Sequence, residues 1–205
     1  MITKICGITS PGTATACLEA GADMLGLVYY PPSPRHVDVA LIHDILDAVQ
    51  SYKGRSVLVV VDQLPGEEVV SRFTWLQPYG TVQHDVSIPK MQVVKHYSTF
   101  TQLLDLPIQT ENYFVLEMST GLLPGGNGAA WDWSLAKPFC EMYPTLIAGG
   151  ITPENAADVL RLANPYGIDV SSGVESAPGI KDIDKVKRLI ENVRKAMSTP
   201  LNTGI

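Results

Sequence analysis

Short runs of apolar, often β-branched residues recur along the chain. They fall at Thr3–Gly7, Met24–Tyr29, Ser56–Val61, Thr81–His84, Gln92–His96, Tyr113–Met118, Thr145–Ala148 and Gly167–Ser171. Most are apolar at nearly every position and do not alternate with polar residues. That pattern predicts strands covered on both faces, as in a parallel sheet. The intervening segments read as helices. Thr13–Ala20 is rich in alanine and stops at Gly21, and Asp38–Val49 places Ile42, Ile45, Leu46 and Val49 at helical spacing. Glu67–Leu76, Phe100–Leu104 and Trp133–Met142 are further helical candidates. Thr152-Pro153-Glu154 reads as an N-cap with proline at the first helical position, opening a helix over Asn155–Leu162. Asp182 caps a last helix, Ile183–Met197, whose apolar residues are Ile183, Val186, Leu189, Ile190 and Val193.

Strand and helix alternate eight times, so the expected fold is α/β, a compact (β/α)8 TIM barrel. The 205 residues are read as one domain, with a frayed polar tail over 198–205. Such barrels usually need ~250 residues, so the loops must be short. One connection fits poorly. Only seven residues, Asp85–Met91, separate the expected fourth and fifth strands, whereas a parallel crossover takes about a dozen. The fourth helix is therefore expected to be shortened or missing.

Composition narrows the function. Fifteen Lys and Arg against twenty-one Asp and Glu leave a net charge of −6, which argues against nucleic acid and against an anionic membrane as partners. The longest apolar runs are too short to span a bilayer. The first residues, Met1-Ile2-Thr3-Lys4, show no secretory apolar segment, so a cytoplasmic location is expected. Cys6, Cys17 and Cys140 are odd in number and widely spaced, which suits neither a disulfide framework nor a zinc site. No metal is expected.

In a (β/α)8 barrel the chemistry sits at the C-terminal strand ends. Gly149-Gly150-Ile151-Thr152-Pro153 and Ser171-Ser172-Gly173-Val174-Glu175 follow the seventh and eighth strands, where such barrels commonly hold phosphate on backbone N–H groups. Cys6 ends the first strand and is either inert packing or a reactive thiol. Glu117 follows four apolar or aromatic residues and is costly in a barrel unless partnered; an ion pair with Lys4 or Lys95 is its bland explanation. Arg35 lies in the rigid loop Tyr30-Pro31-Pro32-Ser33-Pro34-Arg35, and its guanidinium suits a carboxylate or a phosphate. His84 and His96 read as polar rim residues. The stretch Pro124-Gly125-Gly126-Asn127-Gly128-Ala129-Ala130 permits a loop that closes over substrate, and Asp132 reads as a helix N-cap.

Lys4-Ile5-Cys6-Gly7-Ile8-Thr9, Pro31-Pro32-Ser33-Pro34-Arg35, Ala148-Gly149-Gly150-Ile151-Thr152-Pro153-Glu154-Asn155 and Asp169-Val170-Ser171-Ser172-Gly173-Val174-Glu175 together resemble the phosphoribosylanthranilate isomerase family of tryptophan biosynthesis. The resemblance implies a cofactor-free Amadori rearrangement of N-(5-phosphoribosyl)anthranilate to 1-(2-carboxyphenylamino)-1-deoxyribulose 5-phosphate. It implies Cys6 as general base and Glu117 as general acid, with Arg35 toward the anthranilate carboxylate. Asp169 is then expected at the sugar hydroxyls, and Gly149, Gly150, Ser172 and Gly173 at the phosphate. The chain departs from the family pattern twice: Glu117 stands where the family has Asp, and Ala129 where it has Lys. Two alternatives remain open at this level, a phosphosugar-binding barrel without turnover and a related phosphosugar isomerase of altered substrate. The partner is in each case a small phosphosugar, and monomer and homodimer are both compatible with the sequence.

Overall fold

A computed structural model describes residues 1–52, 55–80, 86–95, 113–117 and 130–198. Eight strands form one parallel sheet: β1 Ile2–Cys6, β2 Met24–Tyr29, β3 Ser56–Val61, β4 Trp75–Tyr79, β5 Gln92–Lys95, β6 Phe114–Glu117, β7 Thr145–Ala148 and β8 Gly167–Val170. Their order is β4-β3-β2-β1-β8-β7-β6-β5. The two terminal members of that order meet at a seam. There the Leu76 N–H donates to the Pro89 carbonyl at 2.9 Å and the Met91 N–H to the Leu76 carbonyl at 2.7 Å. The sheet is a nearly closed barrel.

Helices α1 Pro11–Ala20, α2 Val39–Ala48, α3 Glu67–Val70, α4 Lys137–Met142, α5 Ala156–Ala163 and α6 Ile183–Ser198 surround it, and a short antiparallel pair, β9 Glu175–Ala177 and β10 Ile180–Lys181, follows β8. Capping is local and legible. Ser10 accepts from the Thr13 N–H, Asp38 from Leu41, Asp132 from Ser134 and Asp182 from Lys185.

Alternation along each strand sorts side chains into two apolar shells. Met24, Val57, Val59, Met91, Val115 and Leu146 fill the lumen. Ile5, Leu25, Leu58, Leu76, Phe114, Leu116, Ile147 and Ile168 face the helices and are buried there. Both faces of every strand are thus covered, which is why the strands read as continuous apolar runs.

Three expectations are corrected. The fourth strand is Trp75–Tyr79, not Thr81–His84, which lies outside the described residues. The helix expected over Glu67–Leu76 ends at Val70, because Trp75 and Leu76 pair with Val57 and Leu58 of β3. Phe73 and Leu76 mimic a helical period, but ladder formation outcompetes it. Twelve residues, 80–91, then join β4 to β5, so the short crossover disappears; the described part, 86–91, contains no helix. Proline in β4 is tolerated because Pro78 faces the same way as Leu76, toward the seam, where the ladder does not continue.

The third correction concerns α5, whose N-cap position is held by Asn155 without a side-chain capping bond, with Pro153 in the turn before it. The Asn155 side chain fastens that turn, donating to the Gly150 carbonyl at 2.9 Å and accepting from the Thr152 N–H at 2.8 Å. The helix expected at Phe100–Leu104, His84, His96 and the glycine-rich stretch 124–129 lie outside the described residues.

Candidate active site

The C-terminal strand ends open into one cleft. Cys6, Arg35, Glu117, Gly149, Gly150, Asp169, Ser172 and Gly173 all line it. The eight predicted site residues therefore fall on one concavity, although five separate chain segments supply them.

Strand register explains the convergence. Lys4 lies beside Asp169, Cys6 beside Gly26, and Ala148 between Glu117 and Asp169. Since side chains repeat every two residues, Lys4, Cys6, Glu117 and Asp169 all point into the lumen. Gly26 leaves the necessary room: a Cβ there would lie 2.7 Å from Cys6 Sγ and 3.1 Å from Lys4 Nζ.

The floor of the cleft is an ion pair. Lys4 Nζ donates to Asp169 Oδ2 at 2.8 Å, with the Lys4 side chain fully buried. Burial opposes the Lys4 ammonium, yet Asp169, with Cys6 second, holds its pKa above the ordinary lysine range. The Lys4 ammonium also acts on the Cys6 thiol. Burial pushes that thiol above its usual value of 9.0, while Lys4 and Lys181 pull it back and Asp169 adds to the rise. The other cysteines differ. Burial raises Cys17 to about 11 and Cys140 to about 12, and neither faces Lys4. Asp169 Oδ1 is buried and has no hydrogen-bond partner among the described residues. A buried acceptor of this kind is a ready seat for a ligand hydroxyl.

Glu117 is only 2% exposed. Of its two expected ion-pair partners, Lys4 pairs with Asp169, and the Lys95 side chain lies outside what is described. The Tyr79 hydroxyl donates toward Glu117 Oε2 at 3.5 Å while accepting from Gln77 Nε2 at 2.9 Å. Burial raises the Tyr79 phenol well above its ordinary pKa, with Glu117 next, so it stays a proton donor to the carboxylate. Tyr79 was not legible as a site residue because β4 itself was misplaced. The alternation Trp75, Gln77, Tyr79 ahead of Gly80 was the signal that could have found it.

At the rim, Arg35 Nε and Nη2 donate to the two Glu175 carboxylate oxygens at 2.8 and 2.7 Å. Its stem lies over Gly7, where a Cβ would sit 2.5 Å from Arg35 Cδ. Across the cleft, the two glycine loops are in direct contact: a Cβ on Gly173 would come within 1.8 Å of the Ile151 carbonyl oxygen. Only glycine lets these backbones approach so closely.

Two paired glycine loops, a buried aspartate oxygen without a hydrogen-bond partner among the described residues, a thiol and a carboxyl group thus share one cleft of a (β/α)8 barrel. The model for "N-(5'phosphoribosyl)anthranilate (PRA) isomerase" matches residues 3–192. The chain belongs to this family. It is similar to the N-(5'-phosphoribosyl)anthranilate isomerase of Desulfatibacillum aliphaticivorans, 36% identical over 92% of this chain and 91% of that one. The isomerase of Trichlorobacter lovleyi is 35% identical over 95% of this chain and 98% of the other. Among solved structures, the Thermus thermophilus phosphoribosyl anthranilate isomerase superposes with a TM-score of 0.78 at 30% identity, covering 95% of this chain and 99% of that one. A family structure in complex with reduced 1-(o-carboxyphenylamino)-1-deoxyribulose 5-phosphate also gives 0.78, at 28% identity over 95% and 100% of the chains. The protein is an enzyme, the isomerase of tryptophan biosynthesis.

Against the family pattern, Glu117 is fully integrated into the cleft despite its extra methylene. Ala129, the second departure, lies outside the described residues.

Proposed function

We propose that this isomerase converts N-(5-phosphoribosyl)anthranilate to 1-(2-carboxyphenylamino)-1-deoxyribulose 5-phosphate with Glu117 as general acid and Cys6 as general base. The observation that carries this assignment is that both side chains line one cleft together with Asp169 Oδ1 and the paired glycine loops.

The Glu117 carboxyl group gives its proton to the furanose ring oxygen. The C1′–O bond breaks and the anilino nitrogen lone pair forms the C1′=N bond of a protonated Schiff base. The Cys6 thiolate then removes the C2′ proton. The electrons of that C–H bond form C1′=C2′, and the C=N pair returns to nitrogen, giving the enolamine. Tautomerisation places a proton on C1′, supplied by the Cys6 thiol, and releases the C2′ hydroxyl proton to Glu117. Both side chains end as they began, and no redox cofactor enters the balance.

The surroundings fit these tasks. Tyr79 on Oε2 holds the Glu117 carboxyl group in place at the cleft. Lys4 stands beside Cys6 as a fixed positive charge, which favours the thiolate. Asp169 Oδ1 accepts from a sugar hydroxyl. The Gly149-Gly150 and Ser172-Gly173 loops take the phosphate, and Arg35 takes the anthranilate carboxylate through Nη1, the nitrogen that Glu175 leaves unused. Three unpaired thiols support work in a reducing compartment such as the cytoplasm.

The test follows the loss of substrate fluorescence in wild type, Cys6→Ser and Glu117→Gln. General acid–base groups contribute about 10²–10⁴-fold, so each variant is expected to lose at least about 10²-fold in kcat while still binding the reduced product analogue. Undiminished turnover in either variant removes that residue's role. Tight binding by wild type without turnover would instead establish a non-catalytic phosphosugar barrel.

A further inference from the structure

One buried carboxylate behind the cleft, bonded to Arg35 of its lining, takes no part in the chemistry above. Glu175 opens β9, just past the Ser171-Ser172-Gly173 loop, and is 7% exposed. Its two oxygens accept from Arg35 Nε and Nη2 at 2.8 and 2.7 Å, a two-point contact that fixes the guanidinium plane. Oε1 also accepts from Lys181 Nζ at 2.6 Å. Lys181, whose side chain is fully buried, donates in turn to the Ser171 carbonyl at 3.1 Å and to Ser171 Oγ at 3.4 Å. The backbone carbonyl of Glu175 is held by Lys185 Nζ at 2.7 Å. One carboxylate therefore joins the loop after β2 to the loop after β8, two segments 140 residues apart in sequence.

Arg35 and the Ser172-Gly173 loop, both in the lining of the cleft, are the groups assigned to the two anionic ends of the substrate. Left alone, an arginine in a loop has many rotamers, and holding one costs side-chain entropy at each binding event. A buried carboxylate that prepays this ordering raises affinity without touching the ligand.

We infer that Glu175 is a positioning residue: it aims the Nη1 edge of Arg35 at the substrate carboxylate and, through Lys181, sets the phosphate loop at a fixed distance from it. The inference rests on the assignment of Arg35 to the carboxylate. It makes Glu175 and Lys181 determinants of specificity for a ligand with an aryl carboxylate at one end and a phosphate at the other.

Charge and orientation make opposite predictions, which allows a clean test. Glu175→Gln removes a negative charge beside Arg35 and Lys181, so attraction for an anion increases. The Gln amide, however, presents an N–H₂ to one of the donors that Glu175 now accepts from, and the two-point contact is lost.

The probes are the reduced product analogue and its counterpart lacking the ring carboxylate, each titrated into wild type, Glu175→Gln, Lys181→Gln and Arg35→Lys. Wild type is expected to prefer the carboxylated probe by at least about tenfold. In Glu175→Gln that preference should shrink to less than about threefold, and KM should rise about tenfold with kcat changed much less. Lys181→Gln should weaken both probes equally, because its effect runs through the phosphate loop. Adding Glu175→Gln to Arg35→Lys should cost little more.

A Glu175→Gln protein that keeps the wild-type preference, or binds the carboxylated probe more tightly, overturns the inference. So does a fall in kcat at constant KM. If wild type itself shows no preference for the carboxylated probe, the assignment of Arg35 fails first, and that outcome is separate from the others. Should Glu175→Gln not fold, Lys181→Gln and Arg35→Lys still decide: a Lys181→Gln loss confined to the carboxylated probe contradicts the arrangement.

Discussion

The junction of β1 with β8 and the seam between β4 and β5 close the same barrel by different means. At the first, four residue pairs are in register and a fully buried lysine meets an aspartate across the ladder. At the second, one isolated bridge, Leu76 to Lys90, joins the strands with two backbone hydrogen bonds. The first junction carries Cys6 and Asp169, the proposed base and sugar-hydroxyl acceptor. The second carries Tyr79, which contacts Glu117, the proposed acid. The proposed site thus spans both the complete ladder and the incomplete one.

The largest expected effect attacks the complete junction. Lys4→Met leaves Asp169 buried beside no cation, and breaking such a pair costs about 3–5 kcal/mol, measurable by urea denaturation. The same variant removes the positive charge next to Cys6. Thiolate forms as pH rises through the folded pKa, which burial places above 9.0. The rising limb of kcat/KM, and of Cys6 alkylation followed by mass spectrometry, should therefore move to higher pH in Lys4→Met, where the lowering effect of Lys4 is lost. A limb that stays put or moves down would show that Lys4 does not act on the thiol.

At the seam, Tyr79→Phe strips the acceptor from Gln77 Nε2, and an unsatisfied buried donor costs about 1–3 kcal/mol. A midpoint shift of that size in denaturation, with reduced turnover, supports the contact with Glu117. An unchanged kcat would confine Tyr79 to packing. The smallest effect is expected for Pro78→Ala, within about 0.5 kcal/mol, because the residue's missing donor faces a side without a ladder. A larger stabilisation would mean that β4 and β5 pair more fully than the bridge at Leu76 indicates.

The same contrast marks where the sequence was readable. Around β1, β2, β7 and β8, apolar runs stop at glycine, proline or a capping aspartate, so element boundaries were punctuated. Met24–Tyr29, Ser56–Val61 and Thr145–Ala148 coincide with the observed strands. Around β4 the strand is Trp75-Leu76-Gln77-Pro78-Tyr79, which lacks valine and isoleucine and contains proline. Its local signal is weak, and pairing to β3 decides the matter. The eight predicted site residues meet in one cleft because barrel strands and the loops after them end on the same face, so strand-end position together with the family resemblance selected them.

What the sequence determined by itself was the alternation of elements, the lumen parity of Lys4, Cys6, Glu117 and Asp169, and the residue types available for proton transfer and anion binding, since these follow from local spacing and side-chain chemistry. The tertiary structure decided the partners: that Lys4 takes Asp169 and not Glu117, that Glu117 meets Tyr79, and that Arg35 is held by Glu175. Each pairing joins residues between 38 and 165 positions apart, and its energy depends on burial and distance, which no local pattern encodes.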